Sequence, residues 1–158
     1  MITRDELLEL ARHSGWPSIS IHLPTHRDAA NREQDRLLLK NLMKTACDEL
    51  VANGMSHTDA ASLCAPATEL VDDASFWREG SDGVSVFISE GGVDVLRLGM
   101  AVAQSVVVGD RYYLRPLHAV VAAQRDFYAL ALDKNGCRLF RASRGAIDQI
   151  ELTGVPTS

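Results

Sequence analysis

Wound at about 100° per residue, residues 32–53 place Leu38, Leu39, Leu42, Met43, Ala46 and Leu50 on one arc. A helix with such a face must bury it against a second layer. The residues just before it keep a different period. Ile19, Ile21 and Leu23 alternate with Ser18, Ser20 and His22, which predicts a half-buried strand ended by Pro24. Asn53-Gly54 supplies the helix stop. A strand leading into a long amphipathic helix sets the plan of a sheet with helices packed on it.

The rest of the chain fits that plan. Thr3 and Glu6 form a capping box before an apolar stripe of Leu7, Leu10 and Ala11. A second helical stretch follows Ser56, and Pro66 predicts its division into two short helices. Phe76 and Trp77 anchor its end to the core. Val84, Val86 and Ile88 alternate with Ser85, Phe87 and Ser89; Gly91-Gly92 marks a tight turn, and Val93 to Leu98 returns. Ser105 to Val108 reads as a short strand. Leu114 to Ala123 reads as a helix with Pro116 in its first turn. Phe127–Asp133, Cys137–Ala142 and Ala146–Leu152 form a β-meander punctuated by Asn135-Gly136 and Arg144-Gly145. Three strands alone bury little, so the meander needs cover from the preceding residues or belongs to a second domain.

Charge is unevenly spread. Residues 45–110 carry 11 acidic and 2 basic groups, whereas residues 25–44 carry 5 basic and 3 acidic and residues 111–158 carry 7 basic and 4 acidic. A net charge of −5 makes the whole chain a poor general binder of phosphate backbones, while leaving a local basic surface open. Cys47, Cys64 and Cys137 are odd in number, widely spaced and without CxxC. That argues against a disulfide framework or zinc site and suits a reducing compartment. The N-terminus lacks a basic start followed by an apolar run, and no apolar run approaches the ~18 residues of a membrane span. A cytoplasmic protein with no membrane contact is the expectation.

Few residue patterns point to chemistry. His22 and His26 flank a strand end and would bind a metal only with a third ligand; hydrogen-bonded structural histidines are the plainer reading. HExxH, GxSxG, GxxxxGK[ST] and GxGxxG are all absent. No cofactor and no catalytic residue is assigned. Arg32, Arg36, Lys40 and Lys44 recur every four residues along the long helix, with Arg27 just before it. Like charges at that spacing disfavour an isolated helix by about 0.2–0.5 kcal/mol per pair. Glu33 and Asp48 offset part of this, and an anionic partner such as RNA would offset more. Lys134, Arg138, Arg141 and Arg144 form a second basic group on the meander.

The order of these segments carries a resemblance. A strand ending in Leu23-Pro24 precedes a helix with Arg36-Leu37-Leu38-Leu39-Lys40-Asn41-Leu42. Then come Asp73-Ala74-Ser75-Phe76-Trp77, Ser81-Asp82-Gly83-Val84-Ser85-Val86-Phe87 and Val107 to Leu117. The series closes with Phe127 to Leu132 and Cys137-Arg138-Leu139-Phe140-Arg141. Along almost its whole length the chain resembles bacterial relatives of the archaeal and eukaryotic peptide-chain release factors, a set that also resembles Pelota-type ribosome-rescue factors.

The resemblance implies an α+β fold, a mostly antiparallel sheet with helices packed on it. Residues 1–124 would be the N-terminal domain. Residues 125–158 would be a β-meander like the start of a ribonuclease H-like middle domain, one that these residues would not complete. The family's reading and release motifs do not carry over. Neither Asn31-Arg32-Glu33-Gln34 nor the 53–57 loop matches the NIKS-type motif. Val84–Ser89 lacks the Tyr and Cys of the second reading motif, and Gly91-Gly92-Val93 is not GGQ. The expected function is a non-catalytic module associated with the ribosome or structured RNA, through Arg27, Arg32, Arg36, Lys40 and Lys44. Alternatives are a protein-interaction module that self-associates through the meander, and a small hydrolase or metal enzyme using His22, His26 or His118.

Overall fold

The computed structural model describes residues 2–123, 127–133, 136–143 and 146–150. They fall into two compact units, Met1–Val120 and Val121–Ser158. The element order is α1 (Arg4–Arg12), β1 (Ser18–Pro24), α2 (Arg32–Ala52), α3 (His57–Asp72), α4 (Ala74–Arg78), β2 (Gly83–Ser89), β3 (Gly92–Leu98), β4 (Ser105–Gly109), α5 (Arg115–Ala123), β5 (Phe127–Asp133), β6 (Gly136–Ser143) and β7 (Ala146–Ile150). The fold is α+β, and its sheets are antiparallel.

In the first unit the strand order is β3-β2-β1-β4, so β1 is central, between β2 and β4. Ile19, Ile21, Leu23, Val84, Val86 and Ile88 form one apolar face. They pack with Leu39, Met43, Ala46 and Leu50 of α2 and with Ala60, Cys64, Ala67 and Val71 of α3. Each fully buried large aliphatic here stabilises the fold by about 1.5–3 kcal/mol. The capping box of α1 is formed: Thr3 N–H donates to Glu6 Oε2 at 2.7 Å, and Glu6 N–H donates to Thr3 Oγ1 at 3.1 Å.

Three local expectations change. α3 runs unbroken through Pro66. Pro66 and Ser62, whose carbonyl loses its donor, lie on the exposed face, so water can satisfy the carbonyl while the buried stripe holds the helix together. The hairpin turn falls one residue early. Ser89 pairs with Gly92, leaving Glu90-Gly91 as the loop, and Gly92 opens β3 at φ +131°, which only glycine adopts readily. Finally, β1 and β2 are buried on both faces rather than one. The segment at Tyr112 and Tyr113 closes the second face: Tyr113 N–H donates to Ser20 Oγ at 2.8 Å, and Tyr112 packs 5.0 Å from the Phe87 ring. Small hydroxylic residues suit a sheet face covered by backbone that needs acceptors.

The second unit is a three-stranded sheet of order β5-β6-β7. Glu151 and Leu152 of the expected last strand, and Lys134 and Arg144 of the second basic group, lie outside the described residues.

Candidate nucleic-acid interface

His22 and His26 have separate environments. His22 is fully buried. Its Nε2–H donates to the Tyr113 carbonyl at 2.8 Å, which leaves Nδ1 to accept from the Ser85 hydroxyl at 2.7 Å. Burial pushes its pKa below the ordinary histidine value. Both ring nitrogens are used and Ser85 is fully buried, so this Ser–His pair offers no access to a substrate or a metal. His26 is half-exposed and stands at the start of the loop leading to α2. Its Nδ1–H donates to Asp35 Oδ1 at 2.8 Å, and its backbone N–H donates to Asp35 Oδ2 at 2.8 Å. That hydrogen bond and charge raise its pKa. His118 is exposed on α5. Among the described residues no group of three or more His, Cys, Asp or Glu side chains is placed to hold a metal ion.

The basic residues divide by what they touch. Arg27 makes a two-pronged pair with Asp82, Nε to Oδ1 at 2.8 Å and Nη2 to Oδ2 at 3.0 Å. The 25–27 loop is tied to the same place by Thr25 N–H to the Asp82 carbonyl (3.1 Å) and Thr25 Oγ1–H to the Ser81 carbonyl (2.8 Å). Arg36 donates through Nε to the Val71 carbonyl at 2.7 Å and pairs with Glu33 and Asp72 at 3.1 and 3.2 Å. It joins α2 to the end of α3. Arg32 reaches the Arg78 carbonyl at 3.5 Å, and its Nε is buried without a partner. Lys40 and Lys44 are exposed and form no ion pair among the described residues.

The band of cations expected along α2 is therefore partly internal. Arg27 and Arg36 are answered by the protein's own carboxylates, because each lies beside a loop or helix end carrying one. What stays outward is a stripe at i, i+3, i+4 and i+7 comprising Leu37, Lys40, Asn41 and Lys44, all exposed. Leu37, 56% exposed, was not singled out by charge; its offset from the buried arc was the available signal. Asp35 was also missed. It is 2% exposed and orients the 26–27 loop from the first turn of α2; an acidic residue there was its only mark.

No family model matches the sequence, and no curated protein matches it. Solved structures do match it in shape, an archaeal protein and a translation factor among them. One, described as an archaeal protein, aligns with a TM-score of 0.51 and 11% identity over 96% of this chain and 45% of its own. The other is the archaeal translation termination factor aRF1, with a TM-score of 0.50 and 12% identity over 95% of this chain and 44% of its own. The chain thus spans less than half the length of either. At those identities the likeness is one of architecture: the α+β arrangement that carries Lys40 and Lys44 is a release-factor-like fold.

Proposed function

We propose that this chain is a non-catalytic cytoplasmic module that docks on the ribosome or on structured RNA through the outward stripe of α2. The observation behind this reading is that Lys40 and Lys44 are exposed and unpaired among the described residues, one turn apart on the same stripe as Leu37 and Asn41, in a fold like that of a translation termination factor. Two free ammonium groups one helical turn apart suit successive phosphates, and Asn41 adds hydrogen-bonding capacity between them. Arg32 lies toward the N-terminus of the same helix. Arg27 and Arg36 would have to leave Asp82, Glu33 and Asp72 to contribute, so they act here mainly as structural ties.

The test is co-sedimentation with ribosomes across a salt series. Lys40→Ala and Lys44→Ala should each flatten the slope of log affinity against log salt by about one unit. The Lys40→Glu/Lys44→Glu double variant should abolish binding. Unchanged co-sedimentation of a folded double variant would reject the reading.

A second reading rests on the meander. Tyr128, Leu130 and Leu132 lie on one face of β5, while Phe127 shares the other face with Ala142 and Ile147 through the cross-strand register. All five large side chains are more than half exposed. A three-stranded sheet with large apolar side chains exposed on both faces favours self-association. A concentration-dependent dimer in sedimentation, lost on Leu132→Lys and Ile147→Lys, would support it; a strict monomer would exclude it.

A further inference from the structure

Cys47 and Cys64 meet where α2 packs on α3. Cys47 follows the fully buried Ala46 of α2. Cys64 lies one turn beyond Ala60 and one turn before Ala67 on α3, both of which are buried. Small residues at these positions let the two helix backbones approach closely. Cys47 Sγ lies 4.0 Å from the Ala60 carbonyl oxygen, which is the acceptor one turn before Cys64 within α3, so the two cysteines are neighbours across the helix pair. Cys64 is 1% exposed, whereas Cys47 is partly open to solvent. A disulfide needs Cα atoms about 4.4–6.8 Å apart and facing Cβ vectors, and a helix pair whose interface residues are small can approach to that range.

We propose that Cys47 and Cys64 are a reversible oxidation site, closed into an intramolecular disulfide between α2 and α3 by a small-molecule disulfide such as oxidised glutathione. The accessible Cys47 thiolate attacks one sulfur of the oxidant. The oxidant's S–S bond breaks, and one small thiol leaves. Cys64 then gives its proton to water and attacks Cys47 Sγ, and the second small thiol leaves as the mixed disulfide breaks. Two protein thiols lose two electrons, and one disulfide becomes two thiols. Burial first, and the neighbouring Cys47 second, push the Cys64 thiol up to about 12. Ring closure is therefore slow at neutral pH and should quicken by about tenfold per pH unit between pH 7 and 9. A reducing glutathione pool would open the bond again.

The full chain is incubated with oxidised glutathione at pH 8.5, denatured, alkylated and mapped by mass spectrometry. Only Cys137 should then alkylate, the intact mass should fall by about 2 Da, and peptides containing Cys47 and Cys64 should be linked. A loop of this span should raise Tm by about 5–10 °C over the reduced protein. Cys137→Ser should keep the bond, and Cys64→Ser should trap glutathione on Cys47. Three alkylated cysteines, a link to Cys137, or glutathione retained on wild-type Cys47 beside a free Cys64 would each overturn the proposal.

Discussion

Lowering the pH from 7.5 to 5.5 should destabilise the first unit through a single buried ring. His22 is fully buried and its nitrogens are committed to the Tyr113 carbonyl and the Ser85 hydroxyl. Protonating Nδ1 would put a charge in the core and face two donors at each other. Burial holds the folded pKa below the ordinary value, so the unfolded chain takes the proton first as pH falls. The stability is fully present above about pH 6.5 and declines as pH drops from there toward the folded value. The limiting slope is one proton, about 1.4 kcal/mol per pH unit. Between pH 6.5 and 5.5 the loss should therefore approach 1 kcal/mol, a sizeable fraction of the 5–15 kcal/mol typical of a domain.

Urea unfolding followed by tryptophan fluorescence measures this directly. Trp77 is 7% exposed in the first unit and reports its opening. His22→Gln keeps an N–H able to reach the Tyr113 carbonyl and cannot titrate. It should lower stability at pH 7.5 yet remove the slope below pH 6.5. Carboxylates add their own slope only at lower pH, and His26, whose pKa is raised, acts above 6.5. If wild type and His22→Gln show the same slope between pH 6.5 and 5.5, the account of a neutral, closed Ser85–His22–Tyr113 chain is wrong.

The opposite sign should appear at His26. Its raised pKa means that its contribution is present below about pH 6.5 and fades as pH rises through the folded value; Asp35→Asn should return the His26 imidazole resonances in an NMR titration toward an ordinary midpoint. At Gly80 an added Cβ would lie 2.7 Å from both the Cα and the carbonyl oxygen of Arg27, so Gly80→Ala should cost about 1–3 kcal/mol and loosen the Arg27–Asp82 pair. A thermal melt of Gly80→Ala indistinguishable from wild type would contradict that backbone contact.

Much of the architecture was legible in residue order. The 3.6-residue period of 32–53, the two-residue period of 18–23 and 84–98, and the Thr3–Glu6 capping box each describe local geometry that neighbouring residues enforce. α2, β1, β2 and β3 accordingly fall where the periods put them. Pro66 carries a local cost that neighbouring residues reveal, but the buried Ala60, Cys64, Ala67 and Val71 stripe outweighs it. The site was less legible. Arg27, Arg32, Arg36, Lys40 and Lys44 look equivalent along the chain. Arg27 is engaged by Asp82, Arg32 by the Arg78 carbonyl, and Arg36 by Asp72 and Val71 as well as the nearby Glu33; all but Glu33 are more than 30 residues away in sequence.

Residue order alone settles which segments are helix and which are strand, because hydrophobic period and capping chemistry act over a few residues. It settles too that one arc of the long helix is buried. Three outcomes came from packing in space instead: β1 is covered on both faces, His22 is sealed between Ser85 and Tyr113, and Lys40 and Lys44 are left facing solvent while Arg27 and Arg36 are paired. The strand cover, the His22 hydrogen bonds and the arginine pairs each depend on groups the chain brings back from far along its length.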